Sequence, residues 1–333
     1  MKKINLAIVG ATGLVGSTFL KVLEERNIQI NNLYLYASKR SAGKVITFKG
    51  KNYSVIELSS ENILNKKIDY ALFSAGEKIS REFAKYFNQI NAVVIDNSSA
   101  FRMNDEIPLV VPEVNADKIS YTDKIISNPN CSTIQCMSPL KVVDELFKLK
   151  RVDYTTFQAV SGSGMKGIKD LENNLEGKPN EFYPHPILNN CLPHIGDFLE
   201  NDYSKEEIKM VKESQKILCL PMLEVNATCV RVPVKNSHSV EMDIECVQPI
   251  DIEKLKSKLS NFTGIKLIDN PKKNEYPLAT LASNQDDILV GRIRLDLFNK
   301  HKLHMFCVAD NIRKGAATNA IQILEYCIKN IKY

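Results

Sequence analysis

The sequence predicts an α/β chain in two parts, a doubly wound parallel-sheet domain followed by an α+β domain built on a mixed sheet. Three observations predict it. Short apolar runs of strand type alternate with helical stretches before Cys131. A glycine-rich turn joins the first strand to the first helix. After Cys131 the texture changes to long β-rich segments. Alternation of strand and helix implies a parallel sheet covered on both faces, whereas consecutive strands imply a mixed or antiparallel one.

The chain has 333 residues, long for one domain, so two cores are expected. An apolar share of 44% and a charged share of 25% are those of an ordinary soluble protein. The formal charge of +5 is mild, and lysines are interspersed with acids, as in Glu206-Glu207-Ile208-Lys209. That balance suits anionic small molecules and argues against nucleic acid as a partner. No apolar run reaches the length of a membrane span, so no membrane partner is expected. Met1-Lys2-Lys3 imitates a leader, but the apolar run behind it is short and continues into a folded pattern. The eight cysteines include no Cys-x-x-Cys pair, and Cys131 and Cys136 lack nearby histidines. No metal is therefore expected, and reduced thiols point to a cytoplasmic location.

Element by element, Ile4 to Val9 reads as the first strand and Leu14 to Arg26 as the first helix, with Leu14, Phe19, Leu20 and Leu23 on one stripe. Further strands are expected at Leu33 to Tyr36, Tyr70 to Phe73 and Ala92 to Ile95, with a helix over Ser80 to Asn88. Beyond Cys131, strands are expected at Val152 to Val160, Thr228 to Val234, Val240 to Val247, Leu289 to Leu297 and Leu303 to Ala309, without regular helices between them. Their length suits a sheet with one face available to a partner. Ala316 to Ile331 is helical, with Ala320, Ile323, Leu324 and Cys327 on one face. The expected division is 1–127, rejoined by a returning helix over 312–333, and 128–311.

The turn Gly10-Ala11-Thr12-Gly13-Leu14-Val15-Gly16 makes the first domain Rossmann-type. Its glycines let backbone approach a pyrophosphate held on the helix N-terminus. The spacing G-x-x-G-x-x-G is less specific than the common fingerprint, but its place between strand and helix is the required context. At the end of the second strand an NAD site would carry Asp or Glu; here stands Ser38-Lys39-Arg40-Ser41. Ser38, Arg40 and Ser41 suit a 2′-phosphate, which Arg binds bidentately, so NADP (NADPH) is the expected cofactor.

Asn128-Pro129-Asn130-Cys131-Ser132-Thr133 sets a cysteine where a loop becomes a helix. A helix start presents unpaired N–H groups and partial positive charge, which favour a thiolate. Asn130, Ser132 and Thr133 add polar atoms around the sulfur. An isolated cytosolic cysteine is more often a buried structural one; what decides here is the dinucleotide turn upstream and an Arg and a His downstream. A thiolate with a nicotinamide cofactor suggests redox chemistry through a thioester, which needs a proton shuttle. Of five histidines, His185 and His194 follow prolines, and His301 and His304 flank a basic, solvated turn. His238 stands apart because Arg231 on a strand and His238 after a turn can supply a carboxylate clamp and a proton donor together.

These residues carry a resemblance. The chain resembles the aspartate-semialdehyde dehydrogenases nearly end to end: Gly10 to Gly16, Ser38 to Gly43, Asp96 to Arg102, Asn128 to Thr133, Gln158 to Gly164, Arg231 to His238 and Asp310 to Ala317. The resemblance implies a second domain that is both catalytic and dimerising, with Cys131 as nucleophile beside Asn130, and His238 as acid/base. It implies that Gln158 orients the substrate, Arg231 binds its carboxylate and Glu213 its amino group, while Arg102 and Lys216 hold phosphate. It places Ser161 and Gly162 by the nicotinamide and Asn311 near the cofactor. The implied reaction interconverts 4-phospho-L-aspartate (aspartyl phosphate) and L-aspartate 4-semialdehyde with inorganic phosphate, on the route to lysine, methionine and threonine, in a homodimer.

Glu213 and Lys216, three apart on a predicted helix, share a face. Two departures stand out. Ser237 precedes the histidine where many relatives carry Gly, so the turn must manage without glycine's freedom. Pro139 should kink or shorten the helix after Cys131. Two rivals remain at this level: N-acetyl-gamma-glutamyl-phosphate reductase, which uses the same thioester chemistry, and a non-catalytic dinucleotide-binding regulator.

Overall fold

The computed structural model describes residues 3–331. The first two residues of the leader-like start and the last two of the expected returning helix lie outside them. The chain forms two compact units, one running to Pro129 and resuming at Ala316, the other spanning Asn130 to Gly315.

In the first unit, β1 (Ile4–Val9) leads through α1 (Leu14–Glu25) to β2 (Ile30–Ala37). A hairpin, β3 (Val45–Phe48) and β4 (Lys51–Ser54), precedes the short β5 (Ile56–Glu57) and α2 (Ser60–Leu64). Then come β6 (Tyr70–Phe73), α3 (Glu77–Gln89), β7 (Val93–Asp96), α4 (Pro112–Asn115) and β8 (Ile125–Ser127). The sheet order is β5-β2-β1-β6-β7-β8, parallel throughout. Strand order reverses between β1 and β6, the switch point at which such sheets bind nucleotides.

Both faces are covered, which explains the unbroken apolar runs. Leu6 and Ile8 pack with Phe19 and Leu23 of α1 and with Ile321 and Leu324 of the C-terminal helix Thr318–Asn330. Ala7 and Val9 face the other way, toward Ile63, Ala84 and Phe87. Phe87 meets Phe73 and Tyr36 edge-on at centroid distances of 5.2 and 5.9 Å. Each such buried side chain contributes about 1.5–3 kcal/mol.

The second unit opens with α5 (Cys131–Phe147) and β9 (Leu149–Gln158), then α6 (Met165–Leu175), α7 (Lys205–Leu218), β10 (Glu224–Arg231) and β11 (His238–Cys246). It continues with α8 (Ile252–Ser260), β12 (Ile265–Leu267), α9 (Ala279–Ala282), β13 (Ile288–Leu295) and β14 (Lys302–Ala309). The sheet runs β10-β9-β11-β14-β13-β12 and is mixed, with β9/β10 and β12/β13 parallel and the other pairs antiparallel. Along β11, buried residues alternate with half-buried ones, so one face packs on helices and the other is left more open.

Four expectations need correction here. Helices α6, α7 and α8 do stand between the long strands. Of these the sequence predicts only α7, as the helix on which Glu213 and Lys216 share a face; its inward side is Glu206, Met210, Glu213, Ser214 and Ile217. The strand expected to Val234 ends at Arg231, because Pro233 has no N–H to give a ladder. Pro139 does not shorten α5, whose helix runs on to Phe147; most of it is buried against neighbouring elements, and that packing outweighs the lost bond. His304 lies within β14, not on a solvated turn, with Nδ1 3.2 Å from Glu241.

Candidate active site

In the first unit the glycine turn follows β1 at the switch point. Gly10 has φ +87°, and a Cβ there would lie 2.3 Å from the Ser74 carbonyl oxygen. A Cβ on Gly16 would lie 2.1 Å from the Gly10 oxygen. Neither position accepts a side chain. Thr12 and Gly13 are exposed, and Leu14 and Val15 open α1, whose N-cap Gly13 offers no side-chain cap. The first-turn N–H groups are therefore available to an anion, the donor set a pyrophosphate needs. The N–H groups of Gly10 and Ala11 both donate to Tyr36 O, at 2.9 and 3.1 Å, tying the turn to the end of β2. There Ser38 and Arg40 are exposed and Ser41 is buried. Arg102, in the same unit, is buried and donates to Asn97 O at 2.9 Å.

The second unit gathers most of the remaining residues at one end of its sheet. Gln158 ends β9, Arg231 ends the parallel β10 opposite it, and His238 opens the antiparallel β11, paired with Ala309 of β14. Asn311 follows β14 and receives the Ser237 N–H at 2.9 Å. Its side chain lies 3.0 Å from the Ser161 hydroxyl. Ser237 takes φ 75°, so a non-glycine residue occupies the left-handed conformation that the turn demands. It is buried, and its hydroxyl is 3.0 Å from that of Ser283.

His238 is fully buried, and its Nδ1 accepts from the Ala159 N–H at 3.0 Å. Its proton therefore sits on Nε2, a buried atom without a hydrogen-bond partner among the described residues. Burial, reinforced by the Arg231 charge, pushes its pKa down to about 3. Arg231 is buried too; Nη1 donates to Ala159 O at 2.6 Å, while Nε finds no partner among the described residues. A Cβ on Gly162 would lie 2.7 Å from Arg231 Nη1 and 3.1 Å from His238 Nε2. Glycine thus keeps open the space beside the guanidinium and the imidazole, where the buried His238 Nε2 can donate to an anionic or carbonyl oxygen.

Cys131 is the first residue of α5 and half-buried. Asn130 caps that helix, its side-chain oxygen accepting the Ser132 N–H at 2.8 Å. Its backbone N–H donates to Glu213 at 2.6 Å. Glu213 is buried, not a solvated member of a surface pair, and Lys216 lies half-buried one turn on. Reading the sequence missed Glu206. Its Oε1 accepts from Asn130 Nδ2 at 2.8 Å and Gln158 Nε2 at 3.3 Å, joining the start of the cysteine helix to the end of the sheet. Among the described residues no cluster of His, Cys, Asp or Glu could hold a metal ion, and no helix is long and apolar enough to cross a membrane.

Family models match both parts of the chain: the NAD binding domain of semialdehyde dehydrogenases over residues 5–122, and their dimerisation domain over residues 139–314. A parallel sheet with a glycine turn at its switch point, and a mixed sheet ending in Gln, Arg and His, have the build of a semialdehyde dehydrogenase, an oxidoreductase. The chain is 51% identical to aspartate-semialdehyde dehydrogenase of Aquifex aeolicus, with 98% of each chain covered, and 46% identical to that of Campylobacter jejuni, with 97% of each covered. It matches a crystal structure of aspartate semialdehyde dehydrogenase II complexed with ASA from Vibrio cholerae with a TM-score of 0.93, 41% identity and 99% of each chain covered. The chain belongs to the aspartate-semialdehyde dehydrogenase family.

Proposed function

We propose that this chain interconverts 4-phospho-L-aspartate and L-aspartate 4-semialdehyde with NADP, through a thioester on Cys131. The division of labour follows the expected segments: 1–127 with 312–333 for the dinucleotide, 128–311 for chemistry and dimerisation. The observation that carries the reading is the Asn130–Glu206–Gln158 link, which ties the Cys131 helix to the sheet end bearing Arg231 and His238.

Cys131, at a helix start that favours the thiolate, attacks the acyl carbon; the bond to the phosphate oxygen breaks and phosphate leaves. The dinucleotide, when bound, supplies the hydride. His238 donates a hydrogen bond from Nε2 to the carbonyl oxygen as negative charge develops there, and the oxyanion collapses to the aldehyde as the carbon–sulfur bond breaks and Cys131 leaves as thiolate. Arg231 holds the substrate carboxylate, Glu213 its amino group, and Gln158 orients the acyl group. Arg102 and Lys216 hold phosphate. Gly10 to Val15 hold the pyrophosphate, Ser38, Arg40 and Ser41 the 2′-phosphate, and Ser161, Gly162 and Asn311 the nicotinamide end. The open face of the mixed sheet, with Phe157 and Phe306 in contact, supports a homodimer, and the cysteine pattern supports a cytoplasmic location.

The test is phosphate-dependent NADPH formation from aspartate semialdehyde by wild type and Cys131→Ala. Turnover should vanish in the variant while its melting temperature stays within a few degrees. A fully active Cys131→Ala protein refutes the thioester.

A further inference from the structure

Glu206 is buried beside Asn130 and Gln158, and neither residue pattern nor helix capping explains it. The N-terminus of α7 is already closed by a Ser204–Glu207 capping box. A buried carboxylate is a poor device for stability, since removing it from water costs several kcal/mol. Its bonds have a particular logic. Oε1 accepts from Asn130 Nδ2 at 2.8 Å and from Gln158 Nε2 at 3.3 Å, and Oε2 accepts from Lys209 Nζ at 3.2 Å. An ionised carboxylate only accepts, so each amide must turn its NH2 toward it and its oxygen elsewhere. For Asn130 that oxygen caps the cysteine helix on the Ser132 N–H.

We propose that Glu206 is a positioning residue: its carboxylate fixes the amide orientations of Asn130 and Gln158, and so the hydrogen bonding around the Cys131 helix start and the acyl group. This rests on the reading of Cys131 as nucleophile. The charged and titratable groups facing Glu206 are Lys209 on its own helix, Arg231 and the Cys229 thiol on β10, His238 on β11 and, across Asn130, Glu213. Burial pushes the carboxyl pKa up, but Lys209, the Asn130 amide and Arg231 outweigh it and hold the group below its ordinary value. It therefore stays ionised through the working range.

Glu206→Gln preserves the shape but can present either oxygen or NH2 to the two amides. Its kcat should fall roughly tenfold or more with KM nearly unchanged, and Glu206→Asp should recover part of the loss. Wild-type kcat in a folded Glu206→Gln protein overturns the proposal. If that variant fails to fold, Lys209→Met decides. Losing the half-exposed lysine raises the Glu206 pKa, so the acid limb of the kcat–pH profile should move to higher pH by about half a unit or more; an unmoved limb overturns the proposal. Cys131→Ala, run alongside, separates the two readings: its activity speaks against the nucleophile, whereas unchanged Glu206 variants beside a dead Cys131→Ala protein speak against Glu206 alone.

Discussion

The Ala159 N–H donates to Nδ1 of His238 at 3.0 Å, and this one bond sets what the imidazole can do. It fixes the tautomer with Nε2 protonated, so His238 is held as a neutral hydrogen-bond donor. The residue after β9 and the first residue of β11 meet because the two strands run antiparallel, so that one begins where the other ends.

The pH consequence follows from the depressed pKa. In the unfolded chain His238 binds a proton below about 6.5, whereas the folded form resists protonation until about 3. Between those values the unfolded state holds more protons, so the histidine's contribution is complete above about 6.5 and is lost as pH falls, at up to about 1.4 kcal/mol per pH unit. His238→Gln should therefore lose stability less steeply than wild type between about pH 6.5 and 4. Parallel urea-melt slopes for the two proteins would sink this.

Ser237 pays for its left-handed backbone. Glycine there would relieve about 1 kcal/mol of strain but forfeit the Ser283 bond and add unfolded-chain freedom, each of similar size. Ser237→Gly should come out within about 1 kcal/mol of wild type. Ser237→Val, β-branched and without the hydroxyl, should cost about 2–3 kcal/mol and lower kcat by displacing His238. Urea denaturation with steady-state assays checks both.

Gly162→Ala places a methyl group 2.7 Å from Arg231 Nη1. The guanidinium tip must move, so KM for aspartate semialdehyde should rise at least about tenfold. The urea midpoint should fall as well, because the buried guanidinium must give up its 2.6 Å bond to Ala159 O. Unchanged KM would remove Arg231 from the substrate carboxylate.

Arg40 is exposed at the end of β2 in a segment with no acid to engage a ribose hydroxyl. Arg40→Ala should weaken NADPH binding by about 1.5–3 kcal/mol, the worth of charge-assisted hydrogen bonds, and leave NADH nearly untouched. Fluorescence titration with both nucleotides reads the ratio directly; an equal loss for both would assign the arginine elsewhere.

Local chemistry was legible from residue order alone. Ile4 to Val9 announced a strand buried on both faces, because a covered parallel sheet needs unbroken apolar side chains. The glycine spacing announced a tight turn that lets backbone approach a pyrophosphate, and Asn128 to Thr133 announced a helix start at Cys131, since turns and helix starts depend on neighbours in sequence.

What only the tertiary structure decided lies in contacts between distant segments. Glu206 sits in a stretch of alternating charges that reads as a solvated helix face; the local Ser-x-x-Glu pattern assigns Glu207 to the cap and gives Glu206 no task. Its role emerges only when α7 packs beside Asn130 and Gln158, 76 and 48 residues away. The His238 tautomer depends likewise on an N–H 79 positions upstream, and Pro139 stays within an intact helix because its surroundings hold it there. Backbone preferences and motifs act over a few residues and are written in order along the chain. Burial, charge and hydrogen-bond partners are set by which strands and helices end side by side, and those appear only when the chain has folded.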